Sequence, residues 1–253
     1  MVDTLKILFI SSLRDKMTIF WSILFPVALL LALGFIQEDP SYRMQLLGAV
    51  VAMGILFNAM YGIGFDVLLN RNSGIFTILR ITPFTISKFI FLFSLSKVFV
   101  SLVTGFVTLF AGIIIFQIDF SISSILLLFP LLLLGIVCFS FLGCIIGNLA
   151  KIETQVSLFA NLIAMPMLFL SHSFYTITEE RKILYLLTKL NPFNYFLKSI
   201  QETLNGMYSS LGITYIILTV LGVASFLLAL ATFKWESHSE STKKVIKRKA
   251  FAS

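Results

Sequence analysis

The chain has 253 residues, of which 58% are hydrophobic and 12% charged, with a formal net charge of +7. A soluble domain carries about 25% charged residues, so this composition, with a mean hydropathy of +0.99, excludes an ordinary water-facing surface. The length allows one membrane domain and little else.

Residues 1–17 form an amphipathic interfacial helix by pattern. Val2, Leu5, Leu8, Phe9, Leu13 and Met17 recur at helical spacing, with Asp3, Lys6, Ser11, Arg14 and Asp15 on the other side. Residues 18–233 hold six apolar stretches, at 19–36, 44–65, 89–116, 122–150, 156–177 and 211–233. A bilayer core about 30 Å thick needs roughly 20 helical residues to cross it, and a helix satisfies its own backbone groups in lipid. The predicted fold class is therefore an all-α integral membrane protein with six transmembrane helices. The first stretch exceeds a signal-peptide core and lacks an A-x-A-like site, so it reads as a retained anchor. Cys138 and Cys144 share the fourth stretch but point to different helix faces, and read as small apolar fillers rather than a disulfide.

Lysines and arginines set the orientation. With the N-terminus inside, Lys6, Arg14, Lys16, Arg71, Arg80, Lys88, Lys151, Lys234 and the cluster Lys243, Lys244, Lys247, Arg248 and Lys249 face the cytoplasm. They outnumber Arg43, Arg181, Lys182, Lys189 and Lys198, which face outward. Both termini are expected inside, with residues 234–253 as a basic cytoplasmic tail.

Two interruptions carry the functional signal. Between the second and third spans, Asn72 or Ser73 can cap a short helix. Thr82-Pro83 then restarts the third span, with the proline at a first helical position. A solvated loop has no need of Ile75, Phe76, Ile78, Leu79 and Ile81. A docking surface is favoured, with Phe76 and Leu79 on one side and Arg71 and Arg80 near the ends. Between the fifth and sixth spans, Thr178 caps a run opened by Glu179 and Glu180, with Ile183, Leu184, Leu187 and Leu190 on one face. Asn191-Pro192 restarts a helix whose apolar side is Phe193, Phe196, Leu197, Ile200 and Leu204, opposite Asn194, Lys198, Gln201 and Glu202. Both pieces are too short to cross, and read as two outer interfacial or re-entrant helices. Asn191, Pro192, Phe193 and Phe196 are the candidates for an outer gate.

In order and spacing these segments resemble the permease subunits of the ABC type 2 export family. The polar run from Arg71 to Gly74, Leu79-Arg80, Thr82-Pro83, and Asn191-Pro192 before the last span carry the likeness, which covers the whole chain. The acidic residue often found beside the arginine is absent, and Asn70 and Asn72 occupy that neighbourhood. The resemblance implies that residues 72–80 form a cytoplasmic coupling helix. Arg71, Asn72, Ser73, Gly74, Phe76, Leu79 and Arg80 would then contact a separate ABC ATPase subunit. It also implies assembly with a second permease copy or a similar permease, multi-pass insertion in the plasma membrane among its lipids, and efflux of a drug, an antimicrobial peptide or a lipid-like cargo. The chain has no G-x-x-x-x-G-K-[ST] sequence. It is therefore expected to carry no cofactor or metal and no catalytic residues of its own, with ATP and Mg bound by the partner. Nothing suggests a nucleic-acid partner.

Asn58, Tyr61, Ser140, Asn161, Met165 and Met167 are candidate pathway residues, each of which could equally serve helix packing. A secondary transporter would place ionisable groups near the bilayer midplane. Lys97, Asp66, Asp119 and His172 lie towards the span ends instead. An intramembrane metalloprotease would need H-E-x-x-H, which is absent. A non-transporting docking partner of an ATPase would need the coupling helix but no pathway.

Overall fold

A computed structural model describes residues 16–37, 39–74, 86–118, 121–172 and 182–233. The described residues form eight helices and no strand: α1 (Lys16–Ile36), α2 (Pro40–Asn72), α3 (Ile86–Phe116), α4 (Ile122–Leu149), α5 (Glu153–Phe169), α6 (Lys182–Leu190), α7 (Pro192–Leu204) and α8 (Leu211–Thr232). Among the described residues four stretches are long and apolar enough to cross a membrane: α2, the Val98–Phe116 part of α3, α4 and α8. The apolar Ser22–Ile36 part of α1 is shorter, and α5 has 17 residues, about 25 Å of helix. The expected interfacial helix before residue 16, the run from Thr178 to Arg181, Asp119 and the basic tail lie outside the described residues, and the side chain of Lys97 is not described.

The parallel pair α2 and α4 forms the centre of the bundle, with α8 against α4 and with α1, α3 and α5 around α2. Glycine makes the central contact close. A Cβ at Gly143 would stand 2.7 Å from Met60 O, and one at Gly147 would stand 2.7 Å from Gly64 O. Only hydrogen fits between those backbones. Small residues four apart are a recurrent means of close helix approach in membranes, where lipid provides no hydrophobic drive to associate.

Local signals fix the helix ends. Asp39 caps α2 by accepting from Ser41 N (3.1 Å) and Ser41 Oγ (2.6 Å). Those bonds hold its carboxyl below the usual carboxylate range. Pro40 then occupies the first turn. Ser121 caps α4 and Asn191 caps α7 in the same way. At its other end α2 runs past the expected break and continues to Asn72, about 50 Å in all. Gly74, at φ +77°, turns the chain out of the helix. Ser73 is accordingly the C-cap of α2, and its hydroxyl donates to Asn70 O (3.0 Å). The expectation that Asn72 or Ser73 starts the next helix is corrected, because both belong to the end of this one.

The two short helices differ. On α6, Ile183, Leu186, Leu187 and Leu190 are exposed and Thr188 alone is buried, as suits an apolar face turned away from the chain's own core. On α7 the apolar side is covered by α2, α4, α5 and α8, and Phe193 and Phe196 are 0% exposed. Phe196 lies over Gly135, where a Cβ would strike its ring. Phe139 stacks edge-on to Phe196 at 5.5 Å. Gly135 stands about 20 Å along α4 from Ile122. Gln201 instead lies over Gly48 and donates to Gln45 O (2.9 Å), near the start of α2. Thus α7 begins in the middle of the bundle and climbs to one end.

Candidate functional site

Three places in the bundle gather the polar side chains that the sequence singled out. The first is the end where α2 leads towards α3. Arg71, in the last turn of α2, is 6% exposed. Its guanidinium donates to Asn148 O (2.8 Å) and to Ala150 O. These are carbonyls at the end of α4, the negative end of a helix dipole and a favourable seat for a cation. Arg71 was expected at the rim of a docking surface; its side chain instead turns back into the bundle. The planar fork of a guanidinium, which suits a carboxylate, here takes one carbonyl on each terminal nitrogen. Asn72 and Ser73 are exposed and Gly74 is half-buried. Phe76, Leu79 and Arg80 lie outside the described residues.

The second place is the junction of α5 and α7. Asn191 donates to Met167 O (2.6 Å) and Leu170 O (2.8 Å), and accepts from Phe193 N (3.1 Å). One carboxamide therefore closes the end of α5 and opens α7. Asn194, expected on the polar side, is buried. It accepts from His172 N (3.1 Å) and pairs with His172 Nδ1 (2.9 Å). Since a carboxamide oxygen only accepts, Nδ1 carries the proton in this arrangement. Sequence reasoning missed this pair, because nothing in the spacing links positions 172 and 194. The gate candidates Phe193 and Phe196 are core anchors in this chain. Asn191→Leu should strand three backbone groups, at about 1–3 kcal/mol for each buried group left unsatisfied. A fall in the thermal unfolding midpoint of several degrees, with earlier proteolysis between α5 and α7, is the expected result. An unchanged midpoint would reject the capping role.

The third place is the half-exposed side of α2. Phe57, Tyr61 and Phe65 form a ladder one turn apart, with ring centroids 5.7 and 6.3 Å apart. Going round α2 at 100° per residue, Tyr61 falls between the sector facing α1, marked by Gly54 against Pro26 and Asn58 against Ser22, and the sector facing α5, marked by Gly64 against Val156. Asn58 accepts from Ser22 Oγ (2.6 Å) and donates to Thr104 Oγ1 (3.3 Å), tying α1, α2 and α3. Ser140 is fully buried, and its hydroxyl has no partner among the described residues. On α5, Asn161 and Met165 are exposed beside Leu158, Leu162 and Phe169, while Met167 is half-buried. The six pathway candidates are thus not one cluster: Tyr61 lies on the half-exposed side of α2, Asn161 and Met165 share an outward stripe on α5 with Met167 half-buried beside it, Asn58 is half-buried between α1, α2 and α3, and Ser140 is fully buried in α4.

Comparison with known proteins adds the family. The family model for the ABC-2 type transporter matches residues 4–205, which takes in every described helix except α8. The chain belongs to the ABC-2 type transporter family. No curated protein matches the chain at a significant level. ABC-2 members are the transmembrane component of a transporter and normally work with an ATPase subunit. An ABC-2 chain fits the multi-pass helical bundle and the apolar exposed faces of α3, α4 and α8. Cys138 and Cys144 are both buried in α4.

Proposed function

We propose that this chain is the permease of an ATP-driven exporter in the plasma membrane, with six spans and both termini in the cytoplasm. Two permeases pair, and two ATPase subunits bind ATP and Mg and drive them. The observation that carries this reading is the end of α2. The family likeness supports a coupling segment just beyond it, and α2 would deliver that segment on an unbroken helix of 33 residues anchored to α4 by Arg71. Residues 72–80 would seat in a groove of the ATPase, with Phe76 and Leu79 buried there and Arg80 orienting the contact. Arg71 holds the base of the segment instead of steering at its rim. α6 would lie at the outer interface, and α7 would be re-entrant.

The cargo is hydrophobic or amphipathic: a drug, an antimicrobial-type peptide or a lipid-like molecule. The Phe57, Tyr61 and Phe65 ladder offers it flat apolar contact with one hydroxyl, and the stripe of Asn161 and Met165 on α5 would meet a second permease. An exposed carboxamide in the middle of a span is costly against lipid and finds partners across a helix interface.

Co-purification of the ATPase, together with cargo-stimulated ATP hydrolysis in liposomes, tests the proposal. Burial of one large apolar side chain is worth roughly 1.5–3 kcal/mol, so Phe76→Ala should weaken ATPase binding about tenfold or more. Full binding and full stimulation by that variant would remove the coupling role. Transport that stops on collapse of the proton gradient while ATP remains would identify a secondary carrier instead. Tyr61→Ala should lower cargo stimulation while leaving ATPase binding unchanged; equal stimulation across several cargos would take the ladder out of the pathway.

A further inference from the structure

The end of the bundle that holds Arg71 contains a second bonded link, which no feature of the sequence announces. Asn148, the residue whose carbonyl accepts from Arg71, is buried in the last turn of α4. Its carboxamide donates across to α8, to Ala229 O (3.0 Å) and Thr232 Oγ1 (3.2 Å). Thr232 in turn donates to Leu228 O (2.8 Å) within α8. The chain of bonds therefore runs from the guanidinium of α2, through the backbone and side chain of one residue of α4, to the last turn of α8. All three helices run in the same direction and end together here. Close packing backs the bonds. Gly147 and Gly143 hold α4 against the backbone of α2, and Phe141 packs on Phe226 of α8 with centroids 5.0 Å apart.

We propose that Arg71 and Asn148 join the ends of α2, α4 and α8 into one moving body, so that a push on the segment beyond Gly74 reaches α8 as directly as α4. The proposal rests on the coupling role given above. Its physical content is a choice between two behaviours. Hydrogen bonds shielded from water, with no solvent to replace them, keep helix ends in register. Packing alone lets parallel helices slide by small steps. Without the Asn148 bond, α8 would lag when α2 and α4 move. Asn148 and Thr232 are positioning residues on this view, since neither touches cargo or nucleotide.

The test uses the full chain in lipid nanodiscs with its ATPase. Spin labels on Leu149→Cys and Leu228→Cys, both exposed positions, report the distance between the ends of α4 and α8. The native cysteines are buried and are exchanged for alanine first. In the otherwise unaltered chain the distance should be narrow and should stay in place when nucleotide is trapped on the ATPase. Asn148→Leu should keep ATPase binding, let the distance shift on trapping, and lower transport per ATP hydrolysed about tenfold, within the usual range of coupling between sites. Thr232→Val, which removes one of the two acceptors on α8, should give a smaller change of the same kind. It decides the matter if Asn148→Leu fails to accumulate. A fixed distance and normal transport in Thr232→Val and Asn148→Leu would overturn the proposal. Asn148→Leu, with Thr232→Val in its place if it fails to accumulate, separates this result from failure of the coupling reading. It should broaden the same distance distribution even without an ATPase, so a chain that binds no ATPase but shows this broadening still has the joint, and one that shows none does not.

Discussion

Phe196→Ala should destabilise the chain by about 3–5 kcal/mol, the usual cost of truncating a fully buried phenylalanine. The ring is 0% exposed and lies between Gly135 and Phe139, so its loss leaves a cavity where α7 meets α4. The measurement is the unfolding midpoint of purified protein in detergent. Gly135→Ala should be harmful alone, at about 1–3 kcal/mol for overpacking, because its new methyl group strikes the same ring. Together the two changes should cost clearly less than their sum, since the added carbon enters the space the ring vacated. Additive losses would mean that Phe196 does not sit on Gly135, and that α7 is the interfacial helix of the two alternatives the amphipathic pattern left open.

Gly147→Leu should prevent recovery of folded protein. Its Cβ would lie 2.7 Å from Gly64 O and 2.7 Å from Val67 Cβ. The first of these is backbone and cannot rotate away. The two central helices would have to separate, and the fork of Arg71 on the end of α4 would separate with them. We expect a loss above the usual 1–3 kcal/mol of an overpacked core, read as aggregation in size-exclusion chromatography of detergent extracts. Gly143→Leu should behave alike, because Met60 O and Ala59 O confront it at 2.7 and 2.9 Å. Gly62→Leu and Gly212→Leu are the controls, since a Cβ at either meets nothing within 4 Å. Equal recovery of all four variants would refute the close seam.

Much of this architecture was legible in the residues. Asn191-Pro192 marked a helix start, because a short polar side chain can accept from the first free amides and proline needs no donor there; the same chemistry at Asp39-Pro40 and Ser121 came to light with the structure. The apolar periodicity of residues 193–204 marked one face of α7. It did not say what covers that face. In a membrane chain lipid is as apolar as leucine, so the same pattern serves an interfacial helix and one driven into the bundle. The structure has the second, with Phe193 and Phe196 fully buried.

The sequence by itself determined that the chain is built of apolar helices buried in lipid or in one another, and which family the motif order resembles. The tertiary structure alone decided which polar groups meet. Arg71 looked like a surface cation because positive charge near a span end usually faces water. Its partners are carbonyls of residues 148 and 150, and carbonyls are present at every position, so no residue type reveals them. The same holds for Asn148 on Ala229 O and for Asn191 on Met167 O and Leu170 O. Side chains that bond to backbone leave no complementary residue in the sequence, and only the packing of the helices shows where those bonds fall.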